Sequence, residues 1–213
     1  MKTEGRQKTL PAPGGLLKEG LSLLGIGYEG GAIGAFMTYL AELRKWNRAY
    51  NLTSITEDRD IVTKHFLDSA LYLKAIEGKG HTIADVGSGA GFPGIPLKIL
   101  RPDLSISLIE PSGKKAAFLR HMIRTLGLRD ISAVEKRVED MRDSLFDIAL
   151  TRALFKAPEF VKKASGIVKK NGLFILSKGP AYGQELAGTP HVAMRFVLPF
   201  TDIERYIIVL NNG

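Results

Sequence analysis

A glycine-rich turn follows an acidic residue in residues 85–94, which read Asp-Val-Gly-Ser-Gly-Ala-Gly-Phe-Pro-Gly. Glycine accepts positive φ angles and carries no Cβ, so a ligand can approach the backbone of such a turn closely. The pattern predicts a buried strand before the turn, over residues 82–86, and a short helix after it. The N–H groups of that helix would face an anionic or polar group. The segment therefore predicts a site for a nucleotide-like ligand.

The sequence Gly-x-Gly-x-x-Gly also occurs here, at residues 89–94, but it does not fit the register of a dinucleotide site. That fingerprint begins as the strand ends, whereas this match begins several residues after Asp85, and a start at Gly87 places Phe92 where a small residue must pack. NAD is disfavoured and stays open as an alternative. A strand-end Asp followed by Gly-x-Gly-x-Gly, here Gly87, Gly89 and Gly91, is typical of S-adenosylmethionine sites in Rossmann-like methyltransferases.

Glu110 ends the next predicted strand, over residues 105–110. A carboxylate at that position can accept hydrogen bonds from both hydroxyls of a ribose. NAD enzymes use the same arrangement, so Glu110 indicates an adenosine ribose without choosing the cofactor, and an exposed strand-end Glu is the alternative. Residues 137–139 follow the third predicted strand, where a loop would flank an adenine ring, although the same residues also suit an ordinary charged turn.

The composition limits which partners and which reactive groups the protein can use. The chain has 213 residues, 30 Lys and Arg against 22 Asp and Glu, and a formal charge of +8. This charge suits an anionic partner, and a merely soluble basic enzyme is the alternative. The chain has no cysteine, which excludes disulfides, thiolate nucleophiles and Cys-ligated metals. We expect no metal, no membrane span and a cytoplasmic location, since the apolar residues 16–24 are interrupted by charges and too short to span.

Missing residues also exclude one class of methyl acceptor, carbon five of pyrimidines, and disfavour a second, the exocyclic amines. Methylation of pyrimidine carbon five normally needs a cysteine adduct, and the fourth predicted strand ends Leu-Thr-Arg-Ala at residues 150–153, without the Asn/Asp-Pro-Pro-aromatic signature common for exocyclic amines. Guanine N7 carries an in-plane lone pair, so it can attack the methyl group without a general base. Holding it in line with the sulfur–methyl bond could lower the activation barrier by up to about 7–11 kcal/mol. No residue is a certain catalytic acid or base. Arg152, at the end of the fourth strand, and Asn51 are the candidates.

The elements that position these residues follow an alternating pattern. From residue 82 onward strands and helices alternate, which predicts a mostly parallel seven-stranded sheet with helices on both faces. The last two strands, over residues 193–198 and 205–210, are predicted to form an antiparallel hairpin at the sheet edge. We divide the α/β chain into a loose N-terminal arm (1–30), N-terminal helices that form a substrate-facing element (31–79), and a Rossmann-like S-adenosylmethionine-binding domain (80–213).

The N-terminal helices combine amide, aromatic and basic side chains. Asn47 and Asn51 lie four residues apart, as do Trp46 and Tyr50, so each pair would meet if the helix continues. Such a surface suits stacking and phosphate contact with single-stranded RNA, although a lone tryptophan is more often a core residue. Ser-Ile-Thr-Glu at residues 54–57 predicts a capping box that opens the second helix.

Three polar residues of that second helix, His65, Asp68 and Ser69, have the spacing of a hydrogen-bond network. The alternative is a network confined to the helix surface, without a role in function. Our hypothesis is that it orients the substrate-facing loop that contains Asn51. Lys178 follows the fifth predicted strand at the same sheet edge as Arg152 and is a candidate phosphate contact.

Several motifs together resemble one family. They are Asn-Arg-Ala-Tyr-Asn-Leu-Thr at 47–53, His-Phe-Leu-Asp-Ser at 65–69, residues 85–96, Arg-Pro at 101–102, Gly-Lys-Lys at 113–115 and Thr-Arg-Ala at 151–153. From about Phe36 to the last strand the chain strongly resembles the RsmG (GidB) family of bacterial small-subunit ribosomal RNA methyltransferases. Two residues depart from the family pattern: Glu110 stands for a frequent Asp, and Phe92 for a common Leu.

The resemblance implies a ligand, a product and a set of site residues. It implies a monomer that acts on ribosomal RNA or the small subunit and makes N7-methylguanine in 16S rRNA with S-adenosylmethionine. The implied cofactor contacts, with Asp85, Gly89 and Gly91 added from the turn itself, are Asp85, Gly87, Gly89, Gly91, Phe92, Glu110, Pro111, Ser112, Val138, Glu139 and Arg152. The candidate substrate contacts are Asn47, Asn51, His65, Asp68, Arg152 and Lys178.

Three other functions remain open at this point. A methyltransferase acting on another RNA or on a small molecule would share the cofactor site. An RNA-binding module with a vestigial cofactor fold would bind RNA without transferring a methyl group. An NAD oxidoreductase would bind nicotinamide.

Overall fold

The computed structural model describes residues 11–141 and 145–213. The α-helices are α1 (Pro13–Leu23), α2 (Ala32–Tyr50), α3 (Asp58–Ile61), α4 (Asp68–Ala70), α5 (Gly94–Leu100), α6 (Gly113–Thr125) and α7 (Ala157–Ala164). The strands are β1 (Thr82–Val86), β2 (Ser105–Ile109), β3 (Ile131–Val134), β4 (Phe146–Arg152), β5 (Val168–Lys178), β6 (Val192–Val197) and β7 (Glu204–Asn211). No helix in these described ranges is long and apolar enough to cross a membrane.

The seven strands form one sheet in the order β3-β2-β1-β4-β5-β7-β6. Neighbours from β3 to β5 are parallel, and β7 is antiparallel to both β5 and β6. The predicted fold class, with its reversed last strand and edge hairpin, is therefore confirmed. The strand order reverses between β1 and β4, and ligands of open α/β sheets bind outside the carboxyl ends of the strands at such a switch point.

The sheet is covered on both faces, which explains why its central strands are apolar. One buried cluster joins α1, α2 and the helical residues 58–76 to one face of the sheet and to α5 and α6. A second cluster packs α7 against the other face. The N-terminal helices thus share a core with the sheet.

The N-terminal segment is more ordered than the sequence led us to expect. Leu16, Leu17 and Leu21 of α1 are buried, and a Cβ on Gly20 would lie 2.3 Å from Leu67 Cδ1, so this helix packs closely against the helical residues 62–67. The prediction of a loose arm over residues 1–30 is wrong for α1, while residues 1–10 lie outside the described part. Apolar residues on one face of a short helix were the available signal.

The helix after residue 54 also differs from the prediction. The predicted capping box at residues 54–57 is wrong, because α3 begins at Asp58 and its N-cap residue Glu57 makes no side-chain capping bond. The helix then continues as a π-helical segment (Val62–Leu67), α4 and a 3₁₀ turn (Leu71–Lys74). A π-helical turn widens the helix and is frequent at functional sites. Here the π-helical turn carries His65.

A buried tyrosine connects this helix to the sheet. Tyr72 is 0% exposed, and its hydroxyl donates to the Thr151 carbonyl oxygen over 2.6 Å and accepts from the Ser177 N–H over 3.0 Å. These two backbone groups belong to the ends of β4 and β5. The hydroxyl therefore fixes the N-terminal helices to the carboxyl edge of the sheet.

We predict that Tyr72→Phe lowers the free energy of unfolding by about 1–3 kcal/mol, because it leaves one buried donor and one buried acceptor without a partner. Urea denaturation measures this loss. The matched control is Tyr50→Phe, since Tyr50 is 41% exposed. Equal stability of the two variants would contradict the prediction.

Candidate active site

The glycine turn lies at the switch point, directly after β1. Gly87, Gly89 and Gly91 have φ angles of 73°, 59° and 97°, which favour glycine. A Cβ on Gly91 would lie 2.8 Å from the hydroxyl oxygen of Tyr39, and one on Gly87 would lie 2.0 Å from Leu154 Cδ2. All three positions therefore favour glycine for its conformation, and Gly91 also needs it for space.

Asp85 ends β1 beneath this turn and is fully buried. Its Oδ2 accepts the Gly94 N–H over 2.9 Å, while its Oδ1 is buried without a hydrogen-bond partner among the described residues. Burial raises the pKa of the Asp85 carboxyl from 3.8 to about 7, against the opposing effect of the Gly94 hydrogen bond. A buried oxygen without a partner favours a ligand that brings a donor or a positive charge.

Glu110, just after β2, is 5% exposed and connects two loops. Its Oε2 accepts the Gly89 N–H and its Oε1 accepts the Ser112 N–H, each over 2.9 Å. A carboxylate offers about four acceptor positions, so one on each oxygen remains for the hydroxyls of a ribose. Pro111 follows in the same loop, and Ser112 is the N-cap residue of α6.

The predicted adenine side lies after β3. Val138 is buried in a 3₁₀ turn (Val138–Asp140), and Glu139 pairs with Lys163 of α7. The hydrogen bond from Lys163 lowers the pKa of the Glu139 carboxyl. The site lies at one edge of the sheet, where the neighbouring strands β1, β2 and β3 end. Asp85 and the glycine turn lie at the end of β1, Glu110 follows β2, and the Val138 turn follows β3. This donor and acceptor set fits the amino-acid, ribose and adenine parts of S-adenosylmethionine.

Arg152 ends β4 on the other side of the switch point, where it contacts the π-helical segment. Its Nη1 donates to the Lys64 carbonyl oxygen over 2.9 Å and lies 3.4 Å from Asp68 Oδ2. Its Nη2 donates to His65 Nδ1 over 2.8 Å, and its guanidinium carbon lies 5.1 Å from the centre of the Phe92 ring. Arg152 thus joins the sheet edge to the N-terminal helices.

The hydrogen bond from Arg152 determines which ring nitrogen of His65 carries the proton. Arginine only donates, so Nδ1 must accept and the ring proton of the neutral imidazole lies on Nε2. Nε2 then donates to the Thr53 hydroxyl oxygen over 2.8 Å. Burial, aided by the charge of Arg152, lowers the pKa of His65 from 6.5 to about 3. His65 is therefore neutral at physiological pH and has no nitrogen lone pair free to take a proton.

Asp68 binds a second arginine from the far end of the chain. Arg205 of β7 donates from Nε to Asp68 Oδ1 over 3.2 Å, and the Asp68 side chain is 4% exposed. The alternative of a network of His65, Asp68 and Ser69 confined to the helix surface is wrong, because His65 and Asp68 are buried and joined through Arg152, and Ser69 Oγ has no partner in the described ranges. Sequence analysis missed Arg205, because a pair 137 residues apart leaves no local pattern.

The two asparagines do not form the predicted pair, because α2 ends at Tyr50. Asn51 caps the helix with a positive φ of 48°. The Asn47 side chain instead binds the backbone of Thr53, with its amide donating to the carbonyl oxygen and its oxygen accepting the N–H, each over 2.9 Å. Thr53 is thus held by Asn47 on one side and by His65 on the other, and sequence analysis assigned it no role.

Two further predictions concern isolated side chains. Trp46 and Tyr50 do meet, with ring centres 5.3 Å apart, but Trp46 also packs on Phe118 of α6 at 5.5 Å, as the core alternative expected. Lys178 pairs with Glu185 over 2.9 Å and donates to the Phe155 carbonyl oxygen over 2.7 Å. The structure does not bring Lys178 into the cluster around Arg152. The described ranges contain no group of three or more His, Cys, Asp or Glu that could hold a metal.

The chain is similar to known proteins over most of its length. Residues 32–196 match the GidB family model, described as rRNA small subunit methyltransferase G. A protein of Acetivibrio thermocellus named ribosomal RNA small subunit methyltransferase G is 37% identical over 92% of this chain and 87% of its own length. One of the same name from Geobacter metallireducens is 38% identical over 92% of this chain and 95% of its own.

Solved structures support the fold. A ribosomal protein L11 methylase from Lactobacillus delbrueckii aligns over 70% of this chain and 79% of its own, with a TM-score of 0.55 and 17% identity. A SAM-dependent methyltransferase from Aquifex aeolicus aligns over 72% of this chain and 93% of its own, with a TM-score of 0.54 and 15% identity. The sheet and its helices therefore have the same Rossmann-like fold as these two structures. With a family match over most of its length and relatives above 30% identity, the chain belongs to the GidB family of rRNA small subunit methyltransferases.

Proposed function

We propose that this protein transfers the methyl group of S-adenosylmethionine to N7 of a guanine in 16S ribosomal RNA. The observation that carries the proposal is the buried Asp85 Oδ1, which has no partner among the described residues and lies under a glycine turn at the switch point. The ammonium group of the methyl donor would supply the missing partner. The donor itself supplies an electrophilic methyl group on a sulfonium.

The cofactor contacts follow from this position. Asp85 and the glycine turn would hold the amino-acid end, Glu110 the ribose hydroxyls, and Val138 with Glu139 the adenine side. The two oxygens of Glu110 already bind Gly89 N–H and Ser112 N–H, so the carboxylate is held in place before the ribose arrives. A preorganised acceptor loses little conformational entropy on binding.

The acceptor atom is inferred from what the site lacks. Attack by guanine N7 releases no proton, and His65, the buried imidazole beside the site, is neutral with both ring nitrogens hydrogen-bonded. A reaction without proton transfer fits such a site, because the residues need only hold the nucleophile in line with the sulfur–methyl bond. The N-terminal helices at 31–79 would present the RNA, with Asn51 and the loop at 51–55 nearest the hydrogen-bonded cluster around Arg152.

We expect the wild-type protein to label under-methylated 16S rRNA at one guanine when it is given methyl-labelled S-adenosylmethionine. N7 methylation makes the purine cationic and its glycosidic bond fragile, so reduction followed by mild cleavage should break the strand at the labelled base. Sequencing of the fragments locates it. Label that survives without cleavage would mean a different acceptor atom.

We expect Asp85→Asn to weaken S-adenosylmethionine binding at pH 8 by more than tenfold, since an amide cannot neutralise the ammonium group.

Without cofactor the same variant should be more stable than wild type. The raised pKa of Asp85 means that the folded state favours the protonated form, so ionisation lowers wild-type stability as pH rises from about 4 to about 7. The stability gain of Asp85→Asn is therefore complete above pH 7 and vanishes near pH 4.

Calorimetric titration measures the affinity and urea denaturation at pH 4, 6 and 8 measures the stability. For wild type, affinity should rise between pH 6 and 8 as Asp85 ionises. An Asp85→Asn variant with unchanged affinity would exclude the proposed ammonium contact.

We expect Thr53→Val to lower kcat for methylation of rRNA about tenfold and to leave the Kd for S-adenosylmethionine unchanged. The valine keeps the shape of the side chain but removes the oxygen that accepts from His65 Nε2 and from the Ile55 N–H. The loop beside Asn51 would then lose its link to Arg152, and small misplacements of a bound reactant are costly. Thr53→Ser, which keeps the hydroxyl, is the matched control and should retain activity. Equal kcat values for the two variants would sink this prediction.

A further inference from the structure

A polar cleft lies between the C-terminal half of α2 and residues 55–61, outside the hydrogen-bonded cluster around Arg152. We refer to it as the α2–α3 cleft. Its volume is about 400 Å³, which is enough for one nucleotide. Buried Leu43 and Ile61 and the half-buried Ile55 contribute apolar lining. Of these three residues, the half-buried Ile55 has the exposed surface that can take the flat face of a base.

Three polar side chains of the cleft are available to a ligand. Arg48, Asn51 and Glu57 line it, are exposed, and form no side-chain hydrogen bond or ion pair within residues 11–141 and 145–213. Their neighbours are already engaged. Arg44 pairs with Asp58 over 3.1 Å, and Asn47 uses its amide on the backbone of Thr53.

The available groups match the parts of one RNA nucleotide. A guanidinium without a protein partner suits phosphate. Single-stranded RNA exposes the Watson–Crick edges of its bases, and proteins read these edges by hydrogen bonds. A carboxylate can only accept, and guanine is the base that offers two adjacent donor groups, N1–H and the N2 amine, on this edge. A carboxylate and a guanidinium that line one cleft therefore favour a nucleotide over a bare anion, which the carboxylate of Glu57 would repel.

We propose that the α2–α3 cleft binds one single-stranded guanine nucleotide of the RNA substrate, with its phosphate on Arg48 and its Watson–Crick edge on Glu57. The inference rests on the proposed function, because it takes RNA as the substrate. The cleft also borders the loop at 51–55, whose Thr53 is bonded to His65 and, through it, to Arg152. A nucleotide in the cleft flanks the acceptor guanine and sets the register of the strand.

Charge reversal at Arg48 tests the phosphate contact. Arg48→Glu should raise KM for under-methylated 16S rRNA at least tenfold, leave the Kd for S-adenosylmethionine unchanged, and reduce the salt dependence of RNA binding by about 0.7 in the log–log slope for one lost contact. The matched control is Lys170→Glu, which makes the same charge change at an exposed residue near the amino-terminal end of β5. Equal effects of the two variants would overturn the proposal, since they would reflect net charge alone.

Neutralising Glu57 tests the base contact, because the two interpretations of the cleft predict opposite signs. If Glu57 accepts from a base, Glu57→Gln weakens binding of a guanine-containing single-stranded oligoribonucleotide by several-fold and weakens binding of an otherwise identical adenine oligonucleotide less. If only a phosphate occupied the cleft, losing the carboxylate would strengthen both. Stronger binding of both oligonucleotides contradicts the proposal.

The two levels of inference fail separately. Wild-type protein that binds S-adenosylmethionine but labels no guanine N7 contradicts the proposed function, and equilibrium binding of the oligonucleotides still decides the cleft. Wild-type protein that methylates rRNA normally while Arg48→Glu behaves like Lys170→Glu contradicts the cleft alone.

Discussion

The candidate site depends on the interactions of the guanidinium of Arg152, whose side chain is only 15% exposed. A charge in that position needs acceptors on several sides, and the chain supplies them from one helix: the Lys64 carbonyl oxygen, His65 Nδ1 and Asp68 Oδ2. Leaving a buried charge without its partner costs several kcal/mol, so the helix and the end of β4 can move only together. Asp68 extends the constraint to β7 through Arg205. These contacts therefore hold the N-terminal helices against the carboxyl edge of the sheet.

The charge of Arg152 also acts on two titratable side chains nearby, His65 and Asp85. Burial, together with the positive charge of Arg152, lowers the pKa of His65 and keeps it neutral, so this side chain serves as a fixed link to Thr53 and not as a proton carrier. Asp85 is buried more deeply, and there desolvation wins over the nearby arginine and raises the carboxyl pKa. The fold thus holds an acid that is only partly ionised near pH 7, and a bound cation would favour its ionised form. The buried Asp85 carboxylate thus lowers the free energy of unfolding, and the same carboxylate would strengthen the binding of a cationic ligand.

Sequence patterns predicted the sheet well and the cluster poorly, for a physical reason. Strands such as β1 and turns such as residues 87–91 are determined by neighbours in the chain, so period and glycine spacing predict them. The contacts of Arg152 and Arg205 join residues more than 80 positions apart, and no local pattern encodes them. Asn47 was predicted only in part. It lies four residues before Asn51, as a helical pair requires, but α2 ends at Tyr50 and the pair does not form.

Charge balance explains why such rigidity suits the proposed chemistry. Methyl transfer from a sulfonium to guanine N7 moves one positive charge from sulfur to the base and creates no new charge. A site for this reaction needs no oxyanion donor and no proton acceptor, and its rate depends on how closely the two reactants are held in line. The hydrogen bonds from Arg152 through His65 to Thr53 fix the loop beside the cofactor edge without adding a reactive group. Fixed geometry is then the main contribution that the protein makes to the reaction, and the buried ionic cluster maintains it.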